Sequence, residues 1–229
     1  LSVTQAPGNL PKTDAEKIIA ADANASDEFG HAVSQWGDVL AVGAIGDNNN
    51  TGAVYLYKAE TNGSTTFMSK VNAPDANASD KFGSSVTQSG NLLAVGAYGE
   101  DNNTGATYLY RFEANGTATY LQKVVAPDGA AGDQFGYSVS QSGDVLAVGA
   151  QNSAPGGVSG AGAAYLYKLE QNGTATYLTK VTAPDGAASD WFGRSVSQSG
   201  DVLAVGAYAA DPGGVSNAGA AYLYKLEQN

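Results

Sequence analysis

The sequence has no cysteine and no long hydrophobic run. Without cysteine, the 229 residues form neither a disulfide scaffold nor a thiolate metal site. No apolar stretch approaches the roughly 18 residues that a membrane-spanning helix requires, so we expect no membrane insertion. A signal peptide is not visible either, which fits a chain that begins after a cleavage point or is cut from a longer protein.

Basic residues are also scarce. The chain has 11 Lys and Arg against 22 Asp and Glu, a formal net charge of −11. A phosphate-binding surface needs clustered Lys and Arg, whereas these are scattered along the whole chain. We therefore expect neither nucleic acid nor an anionic membrane as partner. The single histidine, His31, leaves no second imidazole for a metal cluster.

Glycine and repetition are what the sequence has in abundance. Thirty Gly, with many Val, Thr and Tyr, disfavour long helices and predict an all-β fold. A sequence motif that contains Phe-Gly and Val-Gly-Ala occurs four times, with its Phe at positions 29, 82, 135 and 192. The spacings of 53, 53 and 57 residues indicate supersecondary units that bury their apolar faces on one another.

Each unit contains four predicted strands. "FGRSVSQ" is followed by a tight turn and by "VLAVGA", a continuous apolar run typical of a strand covered on both faces. A variable loop, the aromatic "GAAYLYKLEQ", an Asn-Gly turn in three copies and a more polar outer strand complete the unit. Four antiparallel strands per repeat predict a propeller blade. We therefore predict a four-bladed β-propeller that forms one domain over residues 1–229.

The two ends of the chain predict how the ring closes. The sequence stops at "AYLYKLEQN", where a fourth strand is due, and "AEKIIAAD" at residues 15–22 matches the fourth strand of the other repeats. We expect this N-terminal strand to complete the last blade. The alternative is that the four repeats were cut from a longer propeller.

The motifs FGxSV, LAVGA and GAxYLY, in this order, resemble the FG-GAP repeat of the integrin α-chain propeller and of many bacterial surface proteins. Integrin-type repeats often carry a calcium loop immediately before the Val-Gly-Ala strand. Here that place holds one acidic or amide residue per copy: Asp38, Asn91, Asp144 and Asp201. Because calcium takes six to eight oxygen ligands, this loop cannot hold it, and we expect no cofactor to be required.

A second acidic pattern, before each Phe-Gly, is another candidate calcium site. One Asp lies two residues before each Phe-Gly, and another lies five residues earlier. In the first two copies the pattern faintly resembles a calcium loop, with candidate ligands Asp22, Asn24, Asp27, Asp75, Asn77 and Asp80. We favour a simpler interpretation, in which the carboxylates accept backbone N–H groups in the turn between blades, because the later copies lack the middle oxygen ligand.

The residues that differ among the copies are the candidate binding residues. The pairs that flank Phe-Gly are Glu28 and His31, Lys81 and Ser84, Gln134 and Tyr137, and Trp191 and Arg194. The loop after Val-Gly-Ala adds Tyr98. Loops on a rigid scaffold concentrate binding residues, and exposed aromatic rings suit sugars or protein hot spots, although neutral drift also produces such variation. We interpret the repeated Phe and Tyr residues as core, and the recurring Lys17, Lys70, Lys123 and Lys180 as solvated.

No catalytic residues are predicted. A carboxylate pair such as Glu28 and Asp101 would suit glycoside hydrolysis, but nothing in the sequence places the two together. With the FG-GAP resemblance, we expect a non-catalytic adhesion or binding module, extracellular or at the cell surface, with a protein or glycan partner. The alternatives are a purely structural repeat domain of a larger surface protein and a polysaccharide hydrolase or lyase.

Overall fold

The computed structural model describes residues 16–113 and 115–227, in which the predicted strands form four antiparallel sheets. Blade 1 comprises β1 (Phe29–Trp36), β2 (Val39–Ala44), β3 (Ala53–Ala59) and β4 (Thr65–Val71). Blade 2 comprises β5 (Phe82–Ser89), β6 (Leu92–Ala97), β7 (Ala106–Phe112) and β8 (Ala118–Val124). Blade 3 comprises β9 (Phe135–Ser142), β10 (Val145–Ala150), β11 (Ala163–Leu169) and β12 (Ala175–Val181). Blade 4 comprises β13 (Phe192–Ser199), β14 (Val202–Ala207) and β15 (Ala220–Lys225).

The loop after each second strand ties one blade to the next. In blades 1 and 2 it contains the short helical turns α1 (Asp47–Asn50) and α2 (Glu100–Asn103). In blades 3 and 4 it contains the 3-10 turns Pro155–Gly157 and Pro212–Gly214. Directly after the first three of these loops, Gly52, Gly105 and Gly162 form parallel bridges with the Phe of the following blade. The loops that vary in sequence therefore lie beside the next Phe-Gly.

The Phe-Gly step is a bulge that lets neighbouring blades come close. Phe135 pairs with Ala150, whereas Ser138 pairs with the adjacent Gly149, so two residues of β9 are left over. Gly136 has φ +87°, and a Cβ there would collide with the carbonyl oxygen of Ala106 in blade 2. Glycine is needed because of both the left-handed backbone and the contact between blades.

Each hydrophobic core of the first three junctions belongs to two consecutive blades. Phe82, Phe135 and Phe192 are fully buried and pack edge-on against two tyrosines of their own blade. Around Phe135, the core also contains Leu109 and Val124 of blade 2. The prediction that the repeated Phe residues are core is confirmed for these three, whereas Phe29 is only partly buried. The four-bladed all-β propeller is confirmed as well.

Ring closure by the N-terminal strand is not what the described residues show. Blade 4 has three strands, and residues 16–20 form no strand. Ile18 and Ala20 instead pack against blade 1, and the Tyr57 hydroxyl lies 3.5 Å from the carbonyl oxygen of Ile19. Residue 15, at the start of the expected strand, lies outside the described residues.

The contacts of equivalent glycines show no junction between blades 1 and 4 in the described part of the chain. A Cβ on Gly43, Gly96 or Gly149 would strike the glycine carbonyl of the next blade. At the equivalent Gly206, it would meet only Ser195 of its own blade, and at Gly30 it would meet no atom within 4 Å. The described part of the propeller is therefore an open row of four blades, without a junction between blades 4 and 1. The predicted fourth strand of blade 4 is not seen in the described residues, since residues 16–20 pack against blade 1 without strand pairing. Within the described residues, no helix has the length and apolar character needed to cross a membrane.

Candidate functional site

The variable residues before Phe-Gly share a backbone conformation that side chains rarely adopt. Glu28, Lys81, Gln134 and Trp191 have φ of 53°, 58°, 60° and 57°. The carbonyl of each accepts a hydrogen bond from the backbone N–H of the residue that follows Phe-Gly, at 3.1–3.2 Å. This tight turn projects both flanking side chains beside the start of the inner strand. Non-glycine residues in the left-handed region are uncommon and often occur at functional sites.

Arg194 lies at the centre of a group of aromatic rings. Its guanidinium carbon is 4.7 Å from the ring centroid of Tyr208, 5.2 Å from that of Tyr137 and 5.7 Å from that of Trp191. The Trp191 and Tyr208 rings stack with centroids 5.9 Å apart and planes inclined by 13°. A guanidinium over aromatic faces is a favourable cation–π arrangement, so the rings and the charge hold one another in place.

Two glutamines connect Arg194 to blade 3. Arg194 donates a hydrogen bond to the side-chain oxygen of Gln151 at 2.9 Å, and the Gln151 amide donates to that of Gln134 at 2.7 Å. Tyr98 of blade 2 extends the group, with its ring centroid 5.3 Å from that of Tyr137. We call this surface the aromatic–arginine cluster; its residues are Tyr98, Gln134, Tyr137, Gln151, Trp191, Arg194 and Tyr208.

The remaining predicted residues lie at the same end of their strands but make other contacts. His31 Nδ1 is 3.5 Å from the Glu28 carboxylate, and both side chains are exposed. Lys81 donates to the Asn50 side chain at 3.3 Å. Glu28 still acts on the cluster electrostatically: burial, Tyr137 and the Glu28 charge together raise the pKa of Tyr98. Glu28, His31 and Lys81 therefore border the cluster rather than build it.

Tyr208 and Gln151 belong to the cluster, although they were not among the predicted site residues. Both directly follow a Val-Gly-Ala, the position that Tyr98 holds in blade 2 and Ile45 in blade 1. That shared repeat position is the sequence signal that identifies them. The parallel bridge from Gly162 to Phe192 holds the blade 3 loop, with Gln151, against the next blade. Tyr208 meets Trp191 within blade 4, because Phe192 pairs with Ala207.

The aspartates considered as calcium ligands bind protein donors. Asp27, Asp80, Asp133 and Asp190 each accept a backbone N–H three residues earlier, at 2.6–3.0 Å. The Asn24 and Asn77 side chains donate to the carbonyl oxygens of Asp22 and Asp75. The structure thus shows the turn contacts that the simpler interpretation requires. Among the described residues, no group of three or more His, Cys, Asp or Glu is arranged to hold a metal.

Asp22 and the other aspartates at its repeat position bind a tyrosine and, in the first three blades, a lysine that we had expected to be solvated. Lys70 lies 2.6 Å from Asp47, 2.7 Å from Asp22 and 5.0 Å from the Tyr55 ring centroid. Lys123 and Lys180 repeat this contact in blades 2 and 3. Burial alone would lower the pKa of Lys70, but its hydrogen bonds to Asp22 and Asp47 raise it. Hydrogen bonds from Lys70 and then Tyr55 lower the pKa of Asp22. These lysines therefore tie loops together within blades.

The sequence repeats and the blade geometry can now be compared with known proteins. The family model of the FG-GAP repeat matches residues 13–57, 65–110, 119–167 and 176–224. The chain belongs to the FG-GAP repeat family. A search of curated proteins found no match.

The solved structures of one protein, Sqt1, support the fold. Two structures of Sqt1 from Chaetomium thermophilum match 88% of this FG-GAP chain with a TM-score of 0.53 and 13% identity, and the match covers 44% of Sqt1. A protein from Lactobacillus plantarum matches 86% of the chain with a TM-score of 0.49 and 16% identity, over 55% of its own length. The FG-GAP chain thus spans less than half the length of Sqt1. At these identities the likeness concerns the fold alone.

Proposed function

We propose that this FG-GAP propeller is a non-catalytic binding module that recognises a protein or a glycan through the aromatic–arginine cluster. The observation that carries the proposal is the convergence of residues that vary between repeats. Tyr137, Trp191 and Tyr208 surround one arginine, and Tyr98 of a third blade packs on Tyr137. Drift at independent surface positions gives no reason for such rings to meet, whereas ligand binding does.

The chemistry of the cluster suits recognition. Trp, Tyr and Arg dominate the binding energy of protein interfaces, because they combine a large apolar area with hydrogen-bonding groups. Tyr208 remains 62% exposed although it stacks on Trp191, so an open aromatic face is presented to solvent. The rings are already ordered by Arg194, which reduces the entropy that a ligand must overcome on binding.

The backbone conformation of Trp191 also supports a binding role. Its φ of 57° costs of order 1 kcal/mol relative to an ordinary conformation. Glycine would hold this conformation without strain, yet all four copies have a long side chain there. Retaining large, different side chains at a strained position is understandable if the side chains themselves are used.

The proposed setting is extracellular or at a cell surface, without a required cofactor. Resemblance to the integrin α-chain propeller and to bacterial surface proteins supports this location. The second candidate function is a purely structural repeat domain of a larger surface protein. It is favoured by the three cores that each join two blades, because stacking is all that such a domain requires.

The test uses the two tryptophans of the chain, Trp36 and Trp191. In Trp36→Phe, fluorescence comes from Trp191 alone, so a ligand at the cluster changes it directly. This protein is titrated with a panel of soluble glycans and purified extracellular-matrix proteins. For any binder found, Tyr208→Ala is expected to weaken binding by at least about five-fold, roughly 1 kcal/mol.

Tyr177→Ala is the matched control, since Tyr177 is an exposed tyrosine on an outer strand away from the cluster. It should bind as the parent does. Equal affinity of all variants for the binder would contradict the cluster as binding site. Binding by none of the panel would favour the structural repeat domain.

A further inference from the structure

The outward face of blade 4 has the composition of an internal junction but is open. Leu56, Leu109 and Leu166 each point towards the following blade and are at most 3% exposed. Leu223 occupies the same position in blade 4 and is 76% exposed. Val202 of the neighbouring strand is also exposed on this face. Leaving such side chains in water forgoes most of their burial free energy, of order 2 kcal/mol for a leucine.

The opposite end of the row has the matching surface. Val86 of blade 2 is 9% exposed because blade 1 covers it, whereas the equivalent Val33 is 64% exposed. Gly30 keeps the bulge of the other Phe-Gly steps, with φ +95°, but a Cβ there meets no atom within 4 Å. Both halves of one junction are therefore present on the molecule, at its two ends.

Polar contacts across the internal junctions define the register of this surface. Gln88 binds the backbone oxygen of Ser34 at 3.2 Å. The backbone N–H of Gln141 binds the Thr87 hydroxyl at 3.3 Å, and that of Gln198 binds the Ser140 hydroxyl at 2.9 Å. At the two ends of the row, the corresponding residues have no such partner among the described residues. Ser197 of blade 4 corresponds to Ser140, Gln35 of blade 1 corresponds to Gln198, and both are exposed. These two residues are the predicted contact pair of a fourth junction.

Charge complementarity also links the two ends. In blades 1 to 3, the aspartate that accepts the tyrosine hydroxyl also binds a lysine from the outer strand. In blade 4, Asp185 accepts the Tyr222 hydroxyl at 2.7 Å, and no lysine of the described residues binds it. By repeat position, the missing lysine corresponds to Lys17, which precedes blade 1.

We propose that blade 1 of a second copy of this chain docks on blade 4 of the first and reproduces the internal junction. The occupant is a second copy because the three internal junctions already show this face binding that face. Such an interface is heterologous: two different surfaces meet, and each copy keeps one free end of each kind. It closes into a ring if the rotation per copy permits and otherwise forms longer chains.

The first experiment is sedimentation velocity over a concentration series. Wild type is expected to self-associate, whereas Leu223→Asp and Val33→Asp each disable one end and remain monomeric alone. Mixed in equal amounts, the two variants should form a dimer and nothing larger, because each supplies the surface that the other lacks. Val125→Asp, at an exposed valine between blades 2 and 3 and away from both ends, should associate like wild type.

Gly30→Ala provides a steric test without a charge. Its Cβ has space in the single copy but would strike the docked blade, as a Cβ on Gly83 would strike Ala53. We expect it to abolish association, while Gly37→Ala, at a turn glycine with a left-handed φ of +60° and open space around it, leaves association intact. Circular dichroism confirms that both variants are folded.

Cross-linking then checks the register, which is straightforward in a chain without cysteine. Gln35→Cys in one copy and Ser197→Cys in another should form a disulfide-linked dimer on oxidation, whereas Val125→Cys with Ser197→Cys should not. Wild type that stays monomeric up to about 1 mM, a Kd corresponding to only 4 kcal/mol, would overturn the proposal. So would a monomeric double variant that links Cys to Cys within one chain, since this would show that a single copy closes its own ring.

Discussion

At the scale of single residues, neighbours in the sequence have opposite roles. Phe192 is fully buried between blades, whereas Trp191 and Arg194, on either side of Phe-Gly, form an outward cluster with Tyr208. The bulge explains the contrast, because it turns the chain so that Phe faces the core while the flanking residues project from the strand end. Residues that are the same in all repeats therefore lie in the core here, and residues that differ between repeats lie at the surface.

The buried Phe gives the first prediction. Phe135→Ala should lower the free energy of unfolding by about 3–5 kcal/mol, because the ring is fully enclosed and packs on Tyr165 and Tyr167. Urea unfolding measures the change. Phe67→Ala, at a half-exposed outer-strand position, should cost much less. Similar losses for the two variants would mean that Phe135 is not a core residue.

A second prediction concerns the pH dependence of stability. Burial and the neighbouring Glu100 raise the pKa of Asp80 from 3.8 to about 6, against the effect of the Asn77 N–H that it accepts. Between these two values the folded protein keeps a proton that the unfolded chain has lost. The contribution of Asp80 to stability therefore falls as the pH rises through this range.

Asp80→Asn removes this titration while keeping an acceptor for the Asn77 N–H. Relative to wild type, the variant should become more stable by about 1–2 kcal/mol between pH 4 and pH 7. Urea unfolding at a series of pH values provides the measurement. Asp133→Asn is the control, because Ser153 stands there in place of Glu100. Parallel pH profiles for Asp80→Asn and wild type would refute the coupling.

At the scale of elements, the junction between blades is the unit of construction. Each junction combines a bulged inner strand, a parallel bridge from the preceding loop and a core shared by two blades. Regular strand pairing is local to a blade, so the bulge glycine decides how closely two blades approach. Alanine substitutions at equivalent bulge glycines can therefore distinguish the cost of a strained backbone from the cost of a Cβ that collides with the neighbouring blade.

The third prediction compares the loss of stability in Gly136→Ala with that in Gly30→Ala. Both residues have a left-handed φ, of +87° and +95°, so both variants lose about 1 kcal/mol from the backbone. Only at Gly136 does the new Cβ strike blade 2, which should raise the total loss to about 3 kcal/mol or more. Denaturant unfolding of dilute, monomeric samples measures both. Equal losses would show that the close approach at Gly136 relaxes without cost.

At the scale of the whole molecule, the four blades form a linear array. Each blade packs against its neighbours in sequence, and each of the three cores that lie between blades contains residues of only two blades. Stability is then approximately a sum over blades and junctions, as in repeat proteins. An open row of this kind tolerates the loss of an end blade, whereas a closed ring does not.

Truncation after residue 184 provides the fourth prediction. Blades 1 to 3 should keep their β-sheet circular dichroism and unfold cooperatively, with a denaturant m-value lower by about a quarter. A truncation after residue 171, which also removes β12, should cost further stability because it leaves β11 with a free edge. Complete unfolding after the first truncation would contradict a linear array.

Much of the fold was predictable from the sequence because its determinants are local. Alternating and continuous apolar runs predicted the strands, and recurring Phe-Gly marked both the repeats and the buried rings. The convergence of Trp191, Arg194 and Tyr137 was also predictable, since residues at one repeat position lie at the same end of parallel-stacked blades. Tyr208 and Gln151 were missed because their roles depend on contacts between strands and blades: Tyr208 meets Trp191 across the β13–β14 pair, and Gln151 meets Arg194 of the next blade.

The amino-acid sequence by itself determined the four repeats, the strand order in each blade and the separation of constant core from variable surface, because each follows from patterns within one unit. Only the tertiary structure decided which blades meet. It placed residues 16–20 against blade 1 rather than in a strand of blade 4, and it left Leu223 and Val33 exposed at the two ends. It also brought Lys70 into contact with two carboxylates. The physical reason is that all copies share one local pattern, so the sequence cannot distinguish a junction that is filled from one that is open.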